Sequence, residues 1–148
     1  MLELNLPEFE VNLKKSEGKI WIFDGIRKKY LVLTPEEWVR QHLVNYFIHH
    51  LKYPKSLISV ERGLRYNQLQ KRSDITIFDR SGNAWMIVEC KSPEVNLDQK
   101  SVLQVAVYNA DVNAKYVSVS NGIKHVCYET KTDVKDIVLL NSFPEFEQ

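Results

Sequence analysis

Hydrophobic positions along the chain change period several times, and each change marks an element. Residues 1–33 hold short alternating runs, LELNLPEFEVNL, KIWIFD and KYLVLT, broken by Pro7, Gly18 and Gly25. They predict an N-terminal arm or small sheet. Thr34-Pro35-Glu36-Glu37 then opens a helix by three signals together: a hydroxyl N-cap, a proline at the first helical position and acidic residues in the first turn. The stripe of Val39, Leu43 and Phe47 carries that helix to about Lys52, short of Pro54. Leu57–Leu64, Ser73–Phe78 and Ala84–Glu89 have the β-branched and aromatic content of strands, with DRSGNA as a tight turn between the last two. A second helix is predicted over Asn96–Asn113, capped by Asn96 or Asp98. Strands at Tyr116–Ser120, Lys124–Glu129 and Asp136–Leu140 follow, and Asn121-Gly122 is a hairpin signal between the first two.

Parity within the middle strands decides which side chains can meet. One face carries Asp74, Thr76 and Phe78 with Trp85, Ile87, Glu89 and Lys91; the other carries Ile75 and Ile77 with Met86, Val88 and Cys90. Both faces are largely apolar, so these are central strands covered on both sides. A two-residue turn on Ser81-Gly82 sets Asp74 opposite Glu89, and one on Gly82-Asn83 sets it opposite Lys91 with Glu89 diagonal. A three-residue loop would shift the pairing by one and destroy the arrangement.

Two carboxylates across neighbouring strands repel each other, so they either take up a proton or bind a divalent cation. Oxygen ligands without imidazole or thiolate suit Mg²⁺ or Mn²⁺. Such a metal polarises a phosphoryl oxygen and activates water, and Lys91, on the same face two residues beyond Glu89, can position that water or stabilise transition-state charge. An ExK triplet alone is nearly uninformative; its weight here comes from ending an apolar strand with Asp74 on the matching face.

Length, charge and cysteine content narrow the setting. The chain has 148 residues, 44% hydrophobic, enough for one core, so 1–148 is expected as a single domain with residues 1–33 as arm and 34–140 as core. Twenty basic residues against 19 acidic ones give a formal charge of +1, so binding to a polyanion would depend on local clusters. Basic residues gather at Arg27, Lys28 and Lys29 and at Arg62, Arg65, Lys71 and Arg72. Two cysteines, Cys90 and Cys127, are too few for a disulfide framework and sit in apolar runs, which predicts buried thiols in a cytoplasmic protein. No apolar stretch reaches the roughly 20 residues of a membrane span, and no signal-peptide pattern opens the chain. His42, His49, His50 and His125 lack metal-finger spacing, and Trp21, Trp38 and Trp85 lie in apolar periodic runs that predict packing.

The set Arg72-Ser73-Asp74, Val88-Glu89-Cys90-Lys91-Ser92-Pro93, Gln104, Tyr108 and Ser120-Asn121-Gly122 resembles the PD-(D/E)xK nuclease domain at the N-terminus of type I restriction enzyme R subunits. Thr34 to Gln41 resembles the opening helix of small stand-alone members, and the likeness covers about residues 27–130. It implies an α/β, restriction-endonuclease-like core: a central mixed β-sheet flanked by helices. It implies a divalent metal, Mg²⁺ or Mn²⁺, held by Asp74, Glu89 and the main-chain carbonyl of Cys90, with Lys91 catalytic. The first helix of such nucleases supplies a further glutamate. At 100° per residue Glu36 falls on the stripe of Val39, Leu43 and Phe47, so phase favours Glu36, with Glu37 as the alternative. Gln104 and Tyr108, spaced i, i+4, match the QxxxY element, with Gln104 at the catalytic centre and Tyr108 toward the nucleic-acid backbone.

DNA is the implied partner, contacted by Tyr108, Arg40, Arg62, Arg65 and Arg72, with no membrane involved. The implied activity is metal-dependent hydrolysis of DNA phosphodiesters. Serine replaces the proline that names the first motif. No GxxxxGK[ST] sequence occurs among the five glycines, so the ATP-driven motor of full-length R subunits is not expected. A homodimer and partner proteins of restriction–modification or DNA repair fit the same expectation. The alternative is a non-catalytic module that keeps the fold and binds nucleic acid or a partner.

Overall fold

In the computed structural model, residues 3–60, 63–66, 69–72, 74–130 and 137–146 are described, with the side chains of 63–72 and 106–111 outside that description. The chain starts with an antiparallel meander of β1 (Leu13–Ser16), β2 (Lys19–Asp24) and β3 (Lys29–Val32), the small sheet expected of this segment. Glu17 and Gly18, both at positive φ, make the two-residue turn between β1 and β2.

Helix α1 (Pro35–His49) begins where the cap signals place it, with the Thr34 hydroxyl accepting the Glu37 N–H at 3.1 Å. It ends three residues earlier than predicted, and Lys52 takes a left-handed φ of 61° as the chain leaves it. Then come β4 (Ile58–Val60), β5 (Gly63–Tyr66), β6 (Leu69–Arg72), β7 (Ile75–Phe78), β8 (Ala84–Cys90), α2 (Gln99–Val112), β9 (Tyr116–Ser120), β10 (His125–Thr130) and β11 (Ile137–Leu140). The predicted strand over 57–64 is thus two strands, and β5 pairs with β6 as a separate ribbon. The polar sequence of β6, LQKR, carries no strand periodicity.

Among the described residues, six strands form one sheet in the order β11-β10-β9-β8-β7-β4. Only the β8–β9 pair within it is parallel, and α2 makes the crossover between those two strands. This mixed sheet with helical cover is compatible with a restriction-endonuclease-like α/β core. On one face α1 sets Val39, Leu43 and Phe47 against Ile75, Ile77, Met86, Val88 and Cys90. On the other, Leu97, Val102 and Val105 cover Ile87, Val117, Val119 and Tyr128. Burial of each such large side chain contributes roughly 1.5–3 kcal/mol. No helix among the described residues is long and apolar enough to cross a membrane.

The β7–β8 hairpin departs from the expected two-residue turn. The Asp79 N–H donates to the Asn83 carbonyl at 2.8 Å and the Gly82 N–H to the Asp79 carbonyl at 3.2 Å, leaving Arg80, Ser81 and Gly82 as a three-residue loop. Gly82 takes a φ of +87°, and the Asp79 carboxylate accepts the N–H groups of Ser81 and Asn83. That loop sets Phe78 opposite Ala84, one residue out of step with Ile77 opposite Met86. Trp85 is the extra residue, a bulge that cancels the offset. Strict alternation placed Trp85 beside Ile87. Instead it belongs to the α1-side core, with its ring 5.4 Å from Tyr53, 5.1 Å from Phe146 and 5.0 Å from Tyr116.

Candidate metal centre

β7 and β8 present the acidic pair. Asp74 stands one residue before β7, and continuing the register of Ile75 with Val88 sets it opposite Glu89. Asp74 Oδ2 accepts the Cys90 N–H at 2.7 Å, which fixes one carboxylate oxygen against the end of β8. Lys91 follows, with Nζ 3.4 Å from Glu89 Oε1. Asp74, Glu89 and Lys91 keep side-chain exposures of 27%, 30% and 33%, so the cluster opens to solvent although the strands behind it are buried. Partial burial first and the facing Asp74 second push the Glu89 carboxyl up to about 7, against the opposing pull of Lys91. Near neutral pH this pair therefore favours a bound proton or a cation.

Helix α1 reaches the same place with polar side chains. Glu36, which helical phase favoured, is exposed, and Glu37 is buried at 5% exposure. The reason lies in how much of α1 is covered. Glu37, Arg40, Gln41 and Val44 are buried as well as the apolar stripe, so the apolar stripe marks only part of the buried surface. Glu37 is held by Arg40 through both carboxylate oxygens, by Gln41 Nε2 at 2.9 Å and by Arg27 Nη2 at 3.4 Å. Arg40 is no rim residue: it is 5% exposed, and its Nη1 lies 4.0 Å from Asp74 Oδ1. Its guanidinium is engaged by Glu37 and faces Asp74 instead of standing at the surface.

Sequence reasoning missed Asp24 and read Arg27 only as part of a basic cluster. Asp24 is 1% exposed and accepts the N–H groups of Ile26 at 2.8 Å and Arg27 at 3.0 Å, the Arg27 Nε at 2.8 Å and Gln41 Nε2 at 3.2 Å. Burial alone would raise this carboxyl, but the hydrogen bonds from Arg27 and Ile26 outweigh it and hold it below the usual range. The available signal was parity, since Asp24 shares the face of β2 that buries Ile22.

The Cys90 thiol is buried in the α1-side core, its pKa raised by burial first and by Asp74 next. Gln104 is exposed on α2, and the side chain of Tyr108 lies outside the described residues. Arg65 and Arg72 fall in β5 and β6 with side chains outside the description, and Arg62 is itself outside the described residues. His42 packs edge-on against Phe9 and Trp38 and bonds the Trp38 carbonyl; His125 bridges Ser120 Oγ at 2.7 Å and the Asn5 carbonyl at 3.1 Å. Both read as packing groups. A separate cavity of about 480 Å³, lined by Leu4, Leu6, Tyr46, His125, Leu140 and Phe143 among others, has no Asp, Glu, Lys or Arg in its lining among the described residues.

Among the described residues no three His, Cys, Asp or Glu side chains gather as a complete metal cage. Two facing carboxylates still fit a hard divalent cation that keeps part of its water shell, because such ions bind through one or two carboxylates. The donors here are oxygen only, with the Cys90 thiol turned into the core.

Residues 35–144 match the protein family described as Type I restriction enzyme R protein N terminus. Curated proteins yield no match to the sequence.

Proposed function

As the chain belongs to the type I restriction enzyme R protein N-terminal family, we propose that it hydrolyses DNA phosphodiesters with a divalent cation, Mg²⁺ or Mn²⁺, held by Asp74 and Glu89. The observation that carries this reading is the register that sets those two carboxylates opposite each other, with Glu89 pushed up to about 7.

The Cys90 main-chain carbonyl is the third donor in this reading. When bound, the cation supplies Lewis acidity, lowering the pKa of water and screening phosphate charge. The protein's own part is positional. The Cys90 N–H holds Asp74 Oδ2 at 2.7 Å and the Arg40 guanidinium stands 4.0 Å from Oδ1, so that the carboxylate is oriented before any ligand arrives. Lys91, paired to Glu89 at 3.4 Å, in this reading orients an attacking water and offsets the negative charge that develops on phosphorus-bound oxygens. Glu37 supports Arg40 in this scheme and is not itself a ligand, because Arg27, Arg40 and Gln41 already occupy its oxygens. Gln104 and Tyr108 on α2, and Arg62, Arg65 and Arg72 around β5 and β6, are the phosphate contacts in this reading. Contacts of that kind position DNA without reading its bases.

Incubating plasmid, linear and single-stranded DNA with Mg²⁺, Mn²⁺ or EDTA, alongside Lys91→Ala, tests the reading. Cation-dependent cleavage that Lys91→Ala loses supports it. DNA binding without cleavage under all cations would select a non-catalytic module on the same fold.

A further inference from the structure

We propose that Asp24, Arg27, Glu37 and Arg40 form a positioning chain for Asp74, making the N-terminal sheet a working part of the metal centre. This inference rests on the metal-dependent reading above. Asp24 closes β2 and Arg27 lies in the turn before β3, so both come from the meander that precedes the family match at residues 35–144.

The chain alternates in charge from end to end. Asp24 holds Arg27 through its backbone N–H at 3.0 Å and its Nε at 2.8 Å. Arg27 Nη2 reaches Glu37 at 3.4 Å, and the Glu37 carboxylate accepts from Arg40 Nε at 2.9 Å. Arg40 then sets Nη1 4.0 Å from Asp74 Oδ1. Gln41 ties the two acidic members together, donating to Asp24 at 3.2 Å and to Glu37 at 2.9 Å. Asp24, Glu37, Arg40 and Gln41 are at most 7% exposed, while Arg27 keeps a side-chain exposure of 18%. A network so enclosed holds its members in few rotamers, and the one that faces the metal centre is Arg40. Outer partners of metal ligands typically change metal affinity by about 10–100-fold when removed.

Sign separates positioning from simple electrostatics. A cation removed from the neighbourhood of two carboxylates should tighten Mn²⁺ binding by Coulomb's law. A positioning cation removed should loosen it, because Asp74 loses its fixed setting. Arg27 also bridges two carboxylates at once, Asp24 and Glu37, which a single ammonium on a flexible stem does not reproduce.

Mn²⁺ binding to the full chain, titrated by calorimetry and by electron paramagnetic resonance of the free ion, tests the chain in wild type, Arg27→Met, Arg27→Lys and Lys29→Met. Circular dichroism and thermal unfolding report whether each variant is folded. Both Arg27 variants should bind Mn²⁺ about 10-fold more weakly. Lys29→Met, which removes the same charge from an exposed neighbour, should bind as wild type or slightly tighter. Should Arg27→Met not fold, Arg27→Lys carries the comparison alone. Unchanged or tighter binding in the folded Arg27 variants overturns the positioning chain and leaves the proposed function standing. A wild type that takes up no Mn²⁺ overturns both.

Discussion

Asp74 faces Glu89 because Trp85 absorbs the one-residue offset created by the loop between β7 and β8. The bulge residue is also an anchor, 2% exposed and packed among Tyr53, Tyr116 and Phe146. Trp85→Ala should therefore cost about 3–5 kcal/mol, as large aromatic truncations in a core do. Urea unfolding measures this, and a loss under about 1 kcal/mol would show that the bulge is held by the loop rather than by its ring.

Glu89 gives the protein a pH dependence of defined sign. Its carboxyl is raised from 4.5 to about 7 in the folded state, by burial first and Asp74 second. Between those values the native state holds a proton that the unfolded chain has released. Stability from this group is thus full below the unfolded pKa and declines as pH rises through the folded one, by on the order of 2 kcal/mol. Metal-free wild type should melt higher at pH 5 than at pH 7.5, and Glu89→Gln should remove most of that difference. Added Mn²⁺ should stabilise the wild type increasingly as pH rises, since the cation replaces the proton. A metal-free melting temperature that climbs over this interval as steeply in Glu89→Gln as in wild type would contradict the assignment.

Glu36 and Glu37 are neighbours with opposite expectations. Glu36 is exposed, so Glu36→Gln should change stability by no more than about 0.5 kcal/mol. Glu37→Gln leaves Arg40 and Arg27 facing a neutral amide in a buried setting, which should cost about 3–5 kcal/mol. Chemical denaturation of the two variants side by side decides the matter, and equal losses would refute the buried network.

Much of this was legible in the sequence because local chemistry and tertiary demand agreed. Thr34, Pro35 and the acidic first turn fixed the start of α1, and double-sided apolar runs identified β7 and β8 as central strands. Agreement failed where an element answered to something distant. Glu36 looked inward by phase, yet Glu37 is buried because Arg27, from the preceding meander, meets it there. Strand β6 offered no apolar alternation to read, and the three-residue loop was hidden because its offset is undone at Trp85, inside β8. The pairing of Asp74 with Glu89 was anticipated for a turn the protein does not use; compensation by Trp85 preserved the result.

On the proposed reading, Lys91 separates holding a cation from using it. Its ammonium lies 3.4 Å from Glu89, where it competes with any cation for that carboxylate and pulls the Glu89 pKa down against burial and Asp74. Lys91→Met should thus retain Mn²⁺ affinity or tighten it by a few fold. The Glu89 carboxyl in the metal-free variant should titrate higher than in wild type, which carbon-detected NMR of the side chain can follow. Cleavage should nonetheless fall by about 10²–10⁴-fold, the usual contribution of a positioned proton-transfer group. Parallel loss of Mn²⁺ binding and cleavage would instead make Lys91 a structural support for the carboxylates, and unchanged cleavage would remove it from the reaction.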